Sequence, residues 1–275
     1  MSIITLTTDF GHKDYFVSVT KAALIQEAPE ATIVDISHEI SPFNHTETAY
    51  ILRNAYQSFP KGTIHIVGVD SELSPENNHI AMLFDGHYFV GANNGVFALI
   101  IEEMKYEKLV EINIHNNLLT TFPVLEVFVK VAGHLSRNGS MDVIGKPLQG
   151  LKEIIGVKPV VNDSGTQIIG SVIYIDNFGN VVTNIKKASF LEIQKTRPFK
   201  IFAQSVTFDH IFDSFAAAIN FSIPKDRREE DGKKIAIWNA AGHLELAIYK
   251  SNPKDGNARS LFGLEFRTPV TIFFE

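Results

Sequence analysis

Apolar positions along the first half of the chain change rhythm at regular intervals. Ile3 to Thr7 reads as a short alternating strand, Tyr15 to Glu27 as a helix, and Thr32 to Ile36 as a strand. Thr46 to Ser58 is helical again, and Thr63 to Val69 is a β-branched run. This β-α-β-α-β order predicts parallel neighbours in one sheet, with ligands gathering beyond the carboxyl ends of the strands. Val90 to Ile101 reads as further strand-sized apolar sequence, interrupted by Asn93, Asn94 and Gly95. A last helix is expected over Leu125 to Arg137, stopped by Gly139.

From about Lys158 the pattern shortens. Gly165 to Ile175, Val181 to Ile185, Phe199 to Phe202, Lys234 to Trp238, Leu244 to Tyr249 and Thr268 to Phe273 all read as strands, without helical crossovers between them. The expected fold class is α/β: an amino-terminal α/β domain with a mostly parallel sheet over residues 1–157, and a carboxy-terminal antiparallel β-barrel domain over 158–275.

Composition narrows the function. The 275 residues are 45% hydrophobic and 20% charged, which excludes wholesale disorder. Net charge is −6 and no basic run exceeds a pair, so a nucleic-acid partner is not expected. The one charge cluster, Pro224 to Lys234, reads as a solvated turn. No apolar run reaches the ~18 residues of a membrane span, and the start lacks the basic and long apolar stretches of a signal peptide. The chain has no cysteine, which excludes disulfides and Cys-ligated metals and fits a cytoplasmic protein.

Polar residues collect in the loops after the strands: Asp9, His38 with Glu39, Asp70, and Asn93 with Asn94. Asp9, Asp70 and the asparagines are oxygen donors that a metal-dependent hydrolase could use. However, His12, His38 and His79 are scattered without ligand spacing, so no metal site is expected. Asp9 could equally cap a helix beginning near Asp14. GANNG (Gly91 to Gly95) could be a tight turn or a backbone-lined ligand wall. DNFGN (Asp176 to Asn180) is a hairpin turn by spacing, yet it places a carboxylate, an aromatic ring and an amide within five residues.

The motifs LTTDFGHKDYFV, DISHEISPFN, FPKGTIHIVGVD, FVGANNGV, VAGHL, YIDNFGNVVTNI and LELAI occur in that order from Ile4 to Tyr249. In this the chain resembles the S-adenosyl-L-methionine (SAM) hydroxide adenosyltransferases, the former DUF62 group, related to fluorinase and chlorinase. The resemblance implies that a nucleophile attacks ribose C5′ of SAM and expels methionine, water giving adenosine, with SAM as substrate and no cofactor. It also implies a homotrimer whose sites lie between one subunit's first domain and a neighbour's second. By the same resemblance Asp9 holds the ribose hydroxyls and Phe43 forms a pocket wall. Asp176 receives the methionine ammonium, Phe178 packs on adenine, Asn180 reads the adenine edge, and Asn94 supports the site.

The water-handling side departs from that pattern. Hydroxide-transferring relatives carry an Asp, an Arg seven residues later, and a His in a TFHGRD-type loop. Here Asp70 fills the first place, but Asn77 and Pro123 occupy the other two. Proline cannot relay a proton, and an amide lacks arginine's charge. Glu72, Asn77, Asn78 or Glu126 are the candidates to substitute. Ala240 and Ala241 replace the Ser-Arg pair that halogenating relatives place near the methionine carboxylate. Val124 occupies the fluorinase-type serine place, and Asp70 would repel a halide. The expected function is therefore SAM hydrolysis to adenosine and L-methionine with Asp70 as base or water-orienting residue. The first alternative is a non-catalytic SAM- or adenosine-binding or sensing module, and the second a metal-dependent hydrolase.

Overall fold

The computed structural model describes residues 2–114, 120–154, 158–254 and 256–275. The chain divides into two compact units, Met1–Ile154 and Ile155–Glu275. The boundary expected at residue 157 falls on 155–157, outside the described residues.

The first unit runs β1 (Ile3–Thr8), α1 (Phe16–Glu27), β2 (Thr32–Ser37), α2 (His45–Tyr56), β3 (Ile64–Gly68), β4 (His79–Phe84), β5 (His87–Ala92), α3 (Val96–Ile101) and β6 (Lys108–Ile112). A π-helical turn, Val124–Phe128, then leads into α4 (Val129–Ser136), α5 (Met141–Ile144) and β7 (Gly145–Pro147). The sheet order is β2-β1-β3-β5-β4-β6-β7. It is parallel through β2, β1, β3 and β5, and antiparallel where β4, β6 and β7 extend it.

Strand alternation sets the two faces. Ile4, Leu6, Ile64 and Ile66 join Leu24 of α1 and the apolar side of α4 in one core cluster. On the opposite side Val67 and Phe89 pack with Ala49, Leu52 and Tyr56 of α2 and with α3. The sheet is thus covered on both faces, as its buried parallel strands require. Val90 to Ile101 is not one strand. The chain turns at Gly95, whose φ is +103°, and Val96–Ile101 continues as a buried helix. An apolar run of that length does not distinguish strand from buried helix by periodicity.

The second unit contains β8 (Val160–Val161), β9 (Gln167–Ile175), β10 (Val181–Lys186), α6 (Lys187–Gln194), β11 (Phe199–Ala203), β12 (Val206–Phe208), β13 (Lys234–Trp238), β14 (His243–Ile248), α7 (Ala258–Phe262) and β15 (Pro269–Phe274). Its antiparallel sheet has the order β12-β11-β15-β9-β10-β14-β13, with β8 paired to β9. Just beyond β12, Phe212 bridges to Ile237 of β13, so the barrel is nearly closed. Apolar side chains from all but the shortest of these strands fill its interior, Ile168, Val181, Ile201, Leu246 and Ile272 among them. Two short helices, α6 and α7, were not read from the sequence. Among the described residues no helix is long and apolar enough to cross a membrane.

Candidate functional site

The first unit's order β2-β1-β3 sends the chain to one side of β1 and then back across to the other. That reversal makes a crevice at the carboxyl ends of β1 and β3, where α/β sheets bind ligands. Asp9 follows β1, and Asp70 lies two residues beyond β3, whose last residue Gly68 pairs with Thr8. Gly68 lets the layers meet: a Cβ there would lie 2.8 Å from Val124 Cγ2 on the π-helical turn and 3.0 Å from Thr8 Cγ2.

Asp9 does not cap α1. Tyr15 holds the N-cap place without a side-chain hydrogen bond. Asp9 Oδ2 instead accepts the Phe43 backbone N–H at 3.1 Å. Burial pushes the Asp9 carboxyl above its ordinary value; the Phe43 N–H opposes this and the charge of Asp70 adds to it. Phe43 has a left-handed φ of +59° and is 70% exposed, so its ring is presented at the crest.

Asp70 is restrained from two directions. Its φ is +44°, a conformation that Asp tolerates better than most residues. Asn94 Nδ2 donates to the carbonyls of Val69 at 3.0 Å and Asp70 at 3.1 Å, while Asn94 Oδ1 accepts from Val96 N at 3.2 Å. Asn94, 4% exposed, is thus a brace tying the end of β3 to the start of α3. On the side-chain end, His45 Nε2 lies 2.9 Å from Asp70 Oδ2. His45 opens α2 directly after the N-cap Asn44, whose side chain accepts from Glu47 N. Sequence reasoning passed over His45; its one visible signal is its position at the start of the helix that follows β2 and the DISHEISPFN loop.

The other two places of the water-handling set carry contacts of their own. Asn77 Oδ1 accepts a hydrogen bond at 2.9 Å from Lys152 Nζ, which also reaches the Glu76 carbonyl at 3.3 Å. An ammonium therefore sits at the residue that stands in arginine's place. Pro123 is buried and leads into the π-helical turn. Its neighbour Phe122 packs edge-on against Phe10 and Phe16. Glu72 and Glu126 are exposed, and the Asn78 carbonyl accepts from Asn93 N.

The scattered histidines have structural contacts. His38 is buried, with Nδ1 2.7 Å from Thr8 Oγ1 and Nε2 3.1 Å from Asp35 Oδ1, and burial pushes its pKa down. His79 Nε2 is 2.9 Å from the Ser71 carbonyl, and the His12 ring packs edge-on against His38. Among the described residues no group of three or more histidines and carboxylates could hold a metal ion.

In the second unit Asp176, Phe178 and Asn180 form the hairpin between β9 and β10. Asp176 Oδ1 accepts from Phe178 N at 2.9 Å and Asn180 N at 2.8 Å, and Oδ2 accepts from Asn180 Nδ2 at 2.9 Å. Gly179, at φ +79°, passes so close to Asn257 that a Cβ would lie 2.1 Å from its Nδ2. The turn leaves Phe178 61% exposed. Asp176, Phe178 and Asn180 line a cavity of about 290 Å³ together with Glu245 and Lys250. Burial raises the pKa of Glu245, Asn239 opposes this by donating to it, and the charge of Asp176 adds to the rise. Ala241 lies in a turn shaped by Asn239, whose Oδ1 accepts from Ala241 N and His243 N.

Comparison with known proteins agrees with this two-part construction. Residues 4–145 match the SAM hydroxide adenosyltransferase N-terminal domain and residues 170–271 its C-terminal domain. A Methanocaldococcus jannaschii protein named (R)-S-adenosyl-L-methionine hydrolase is 28% identical, covering 100% of this chain and 97% of its own. An Actinoplanes fluorinase is 24% identical, covering 67% of this chain and 72% of its own. A crystal structure of an uncharacterized conserved protein from Thermotoga maritima superposes with a TM-score of 0.82 at 26% identity, covering 99% and 100% of the two chains. With both domain models matched in order along its two units, the chain belongs to the SAM hydroxide adenosyltransferase family.

Proposed function

We propose that this chain hydrolyses S-adenosyl-L-methionine to adenosine and L-methionine by attack of water at ribose C5′. The observation that carries the reading is the pair of carboxylates at the β1/β3 crevice, Asp9 seated on the Phe43 N–H and Asp70 held by Asn94 and His45. Asp9 offers acceptor oxygens to the ribose hydroxyls, and Phe43 walls the pocket. Asp176, Phe178 and Asn180 take the ammonium and adenine. Because Asp176 already accepts three hydrogen bonds within its turn, it would act on the ammonium by charge more than by a new geometry.

The water oxygen bonds to C5′ as the C5′–S bond breaks, the bonding pair remains on sulfur, and the water proton passes to Asp70. The sulfonium carries its own leaving-group activation, so the protein's task is to align and desolvate the reactants. Two carboxylates in one crevice favour a cationic substrate and disfavour a halide nucleophile. No step calls on a cofactor. On the family resemblance, three copies would assemble so that the first unit of one subunit meets the second unit of another, in the cytoplasm.

A binding or sensing module is the second reading, favoured by Asn77 and Pro123 in place of the arginine and histidine. Chromatography of adenosine and methionine after incubation with SAM, beside calorimetry of SAM binding, separates the two. Stoichiometric release of both products supports hydrolysis; tight binding without product supports the module.

A further inference from the structure

Asp70 stands in the crevice without the arginine and histidine its role ordinarily calls on, yet its side chain is not left loose. His45 lies 25 positions earlier in sequence and on a different element, and its Nε2 is 2.9 Å from Asp70 Oδ2. The two side chains are 25% and 27% exposed, so they border open space and are not sealed in the core. The contact engages one of the two carboxylate oxygens, Oδ2. The remainder of Asp70 is also fixed, its carbonyl by Asn94 and its backbone in a left-handed turn. A weak base gains most from such fixing, since a reacting group displaced by about 1 Å loses on the order of 100-fold in rate.

We propose that His45 is a positioning residue for SAM hydrolysis: it donates Nε2–H to Asp70 Oδ2, aims Oδ1 at the attacking water, and thereby replaces the missing arginine and histidine. The inference rests on the hydrolase reading above. Water loses one proton to Asp70 Oδ1 as its oxygen bonds to C5′, the C5′–S electron pair leaves with methionine, and the proton then passes to solvent. His45 keeps its proton throughout and does not touch the substrate.

Neither Lys152 nor Glu126 competes for this part. The Lys152 ammonium is engaged by Asn77 and the Glu76 carbonyl. Glu126 lies exposed on the π-helical turn.

The test is steady-state hydrolysis of SAM by the full chain, with calorimetry of SAM binding alongside. His45→Ala should lower kcat on the order of 10- to 100-fold while KM stays within about threefold, the pattern of a contact that serves the transition state. His45→Gln, which retains an N–H donor, should recover part of the rate. In an Asp70→Asn background His45→Ala should cost nothing further, because the two act as one unit. Thermal melts check that each variant is folded, and His45→Gln carries the test if His45→Ala is not. A kcat within twofold of the parent in both His45 variants overturns the proposal, as does a loss that simply adds to that of Asp70→Asn. If the parent chain binds SAM but forms no adenosine, the hydrolase reading itself fails and this inference falls with it. An active parent with insensitive His45 variants removes only the role of His45.

Discussion

Asp9 and Asp70 follow neighbouring strands and are chemically similar, but their surroundings differ. Asp9 is half-buried against the Phe43 N–H, and burial together with the charge of Asp70 raises its pKa above the ordinary 3.8. Ionising it is therefore harder in the folded chain than in the unfolded one, and stability falls as pH rises from 3.8 through the raised value. Asp9→Asn, which keeps an acceptor for Phe43, should raise the thermal midpoint slightly at pH 7 and weaken SAM binding on the order of tenfold by losing a charged acceptor; melting and calorimetry check the two halves. Asp70→Ala should reduce adenosine formation by at least about 100-fold and leave SAM affinity within about threefold. Both carboxylates were legible in the sequence because they follow strand patterns directly. His45 was not: a histidine in the first turn of a helix looks like an ordinary surface residue until the sheet order sets it against Asp70.

Elements fix these residues through contacts that cross the sheet. Asn94 braces two carbonyls at the end of β3 and the first free N–H of α3. Asn94→Ala should cost about 2 to 4 kcal/mol in urea unfolding, since it orphans buried backbone groups, and should lower kcat more than it raises KM. Within GANNG, Gly91 and Ala92 end β5, and Asn94 braces the backbone that carries Asp70. The same sheet carries a buried ladder, Thr5 to His65 at 2.7 Å and His65 to His87 at 3.2 Å. Burial, with a smaller push from His87, lowers the His65 pKa from 6.5 to about 3. A histidine kept neutral in the fold but free to protonate when unfolded loses stability as pH falls from 6.5 toward 3. That loss should approach roughly 1.4 kcal/mol per pH unit for this one group. Urea midpoints at pH 7 and pH 5 should show a smaller acid shift in His65→Gln than in the parent.

At the scale of the whole molecule, the residues that the resemblance joins into one substrate site belong to two separate units, Asp9 with Asp70 in Met1–Ile154 and Asp176 with Asn180 in Ile155–Glu275. The proposed sharing of the site between subunits makes a distinctive prediction. Asp9→Ala and Asp176→Ala chains should each be inactive alone, yet recover a fraction of the parent rate when co-expressed, because mixed assemblies contain sites with both residues intact. Sedimentation should give a mass near three chains. Mixed samples that stay inactive, despite demonstrated exchange of subunits, would count against a shared site.

The linear chain determined most of the element order by itself, because strand and helix periodicities are local and the β1-α1-β2-α2-β3 run is strongly patterned. It also determined the motifs that mark the family, and the absence of the usual arginine and histidine at Asn77 and Pro123. Tertiary structure decided what periodicity cannot carry: the turn of Val96–Ile101 into a buried helix, the antiparallel extension through β4, β6 and β7, and the near-closure of the barrel at Phe212. It alone brought His45 to Asp70 and Lys152 to Asn77. Those pairings join positions 25 and 75 residues apart, and such contacts exist only once the sheet order has folded the intervening chain away.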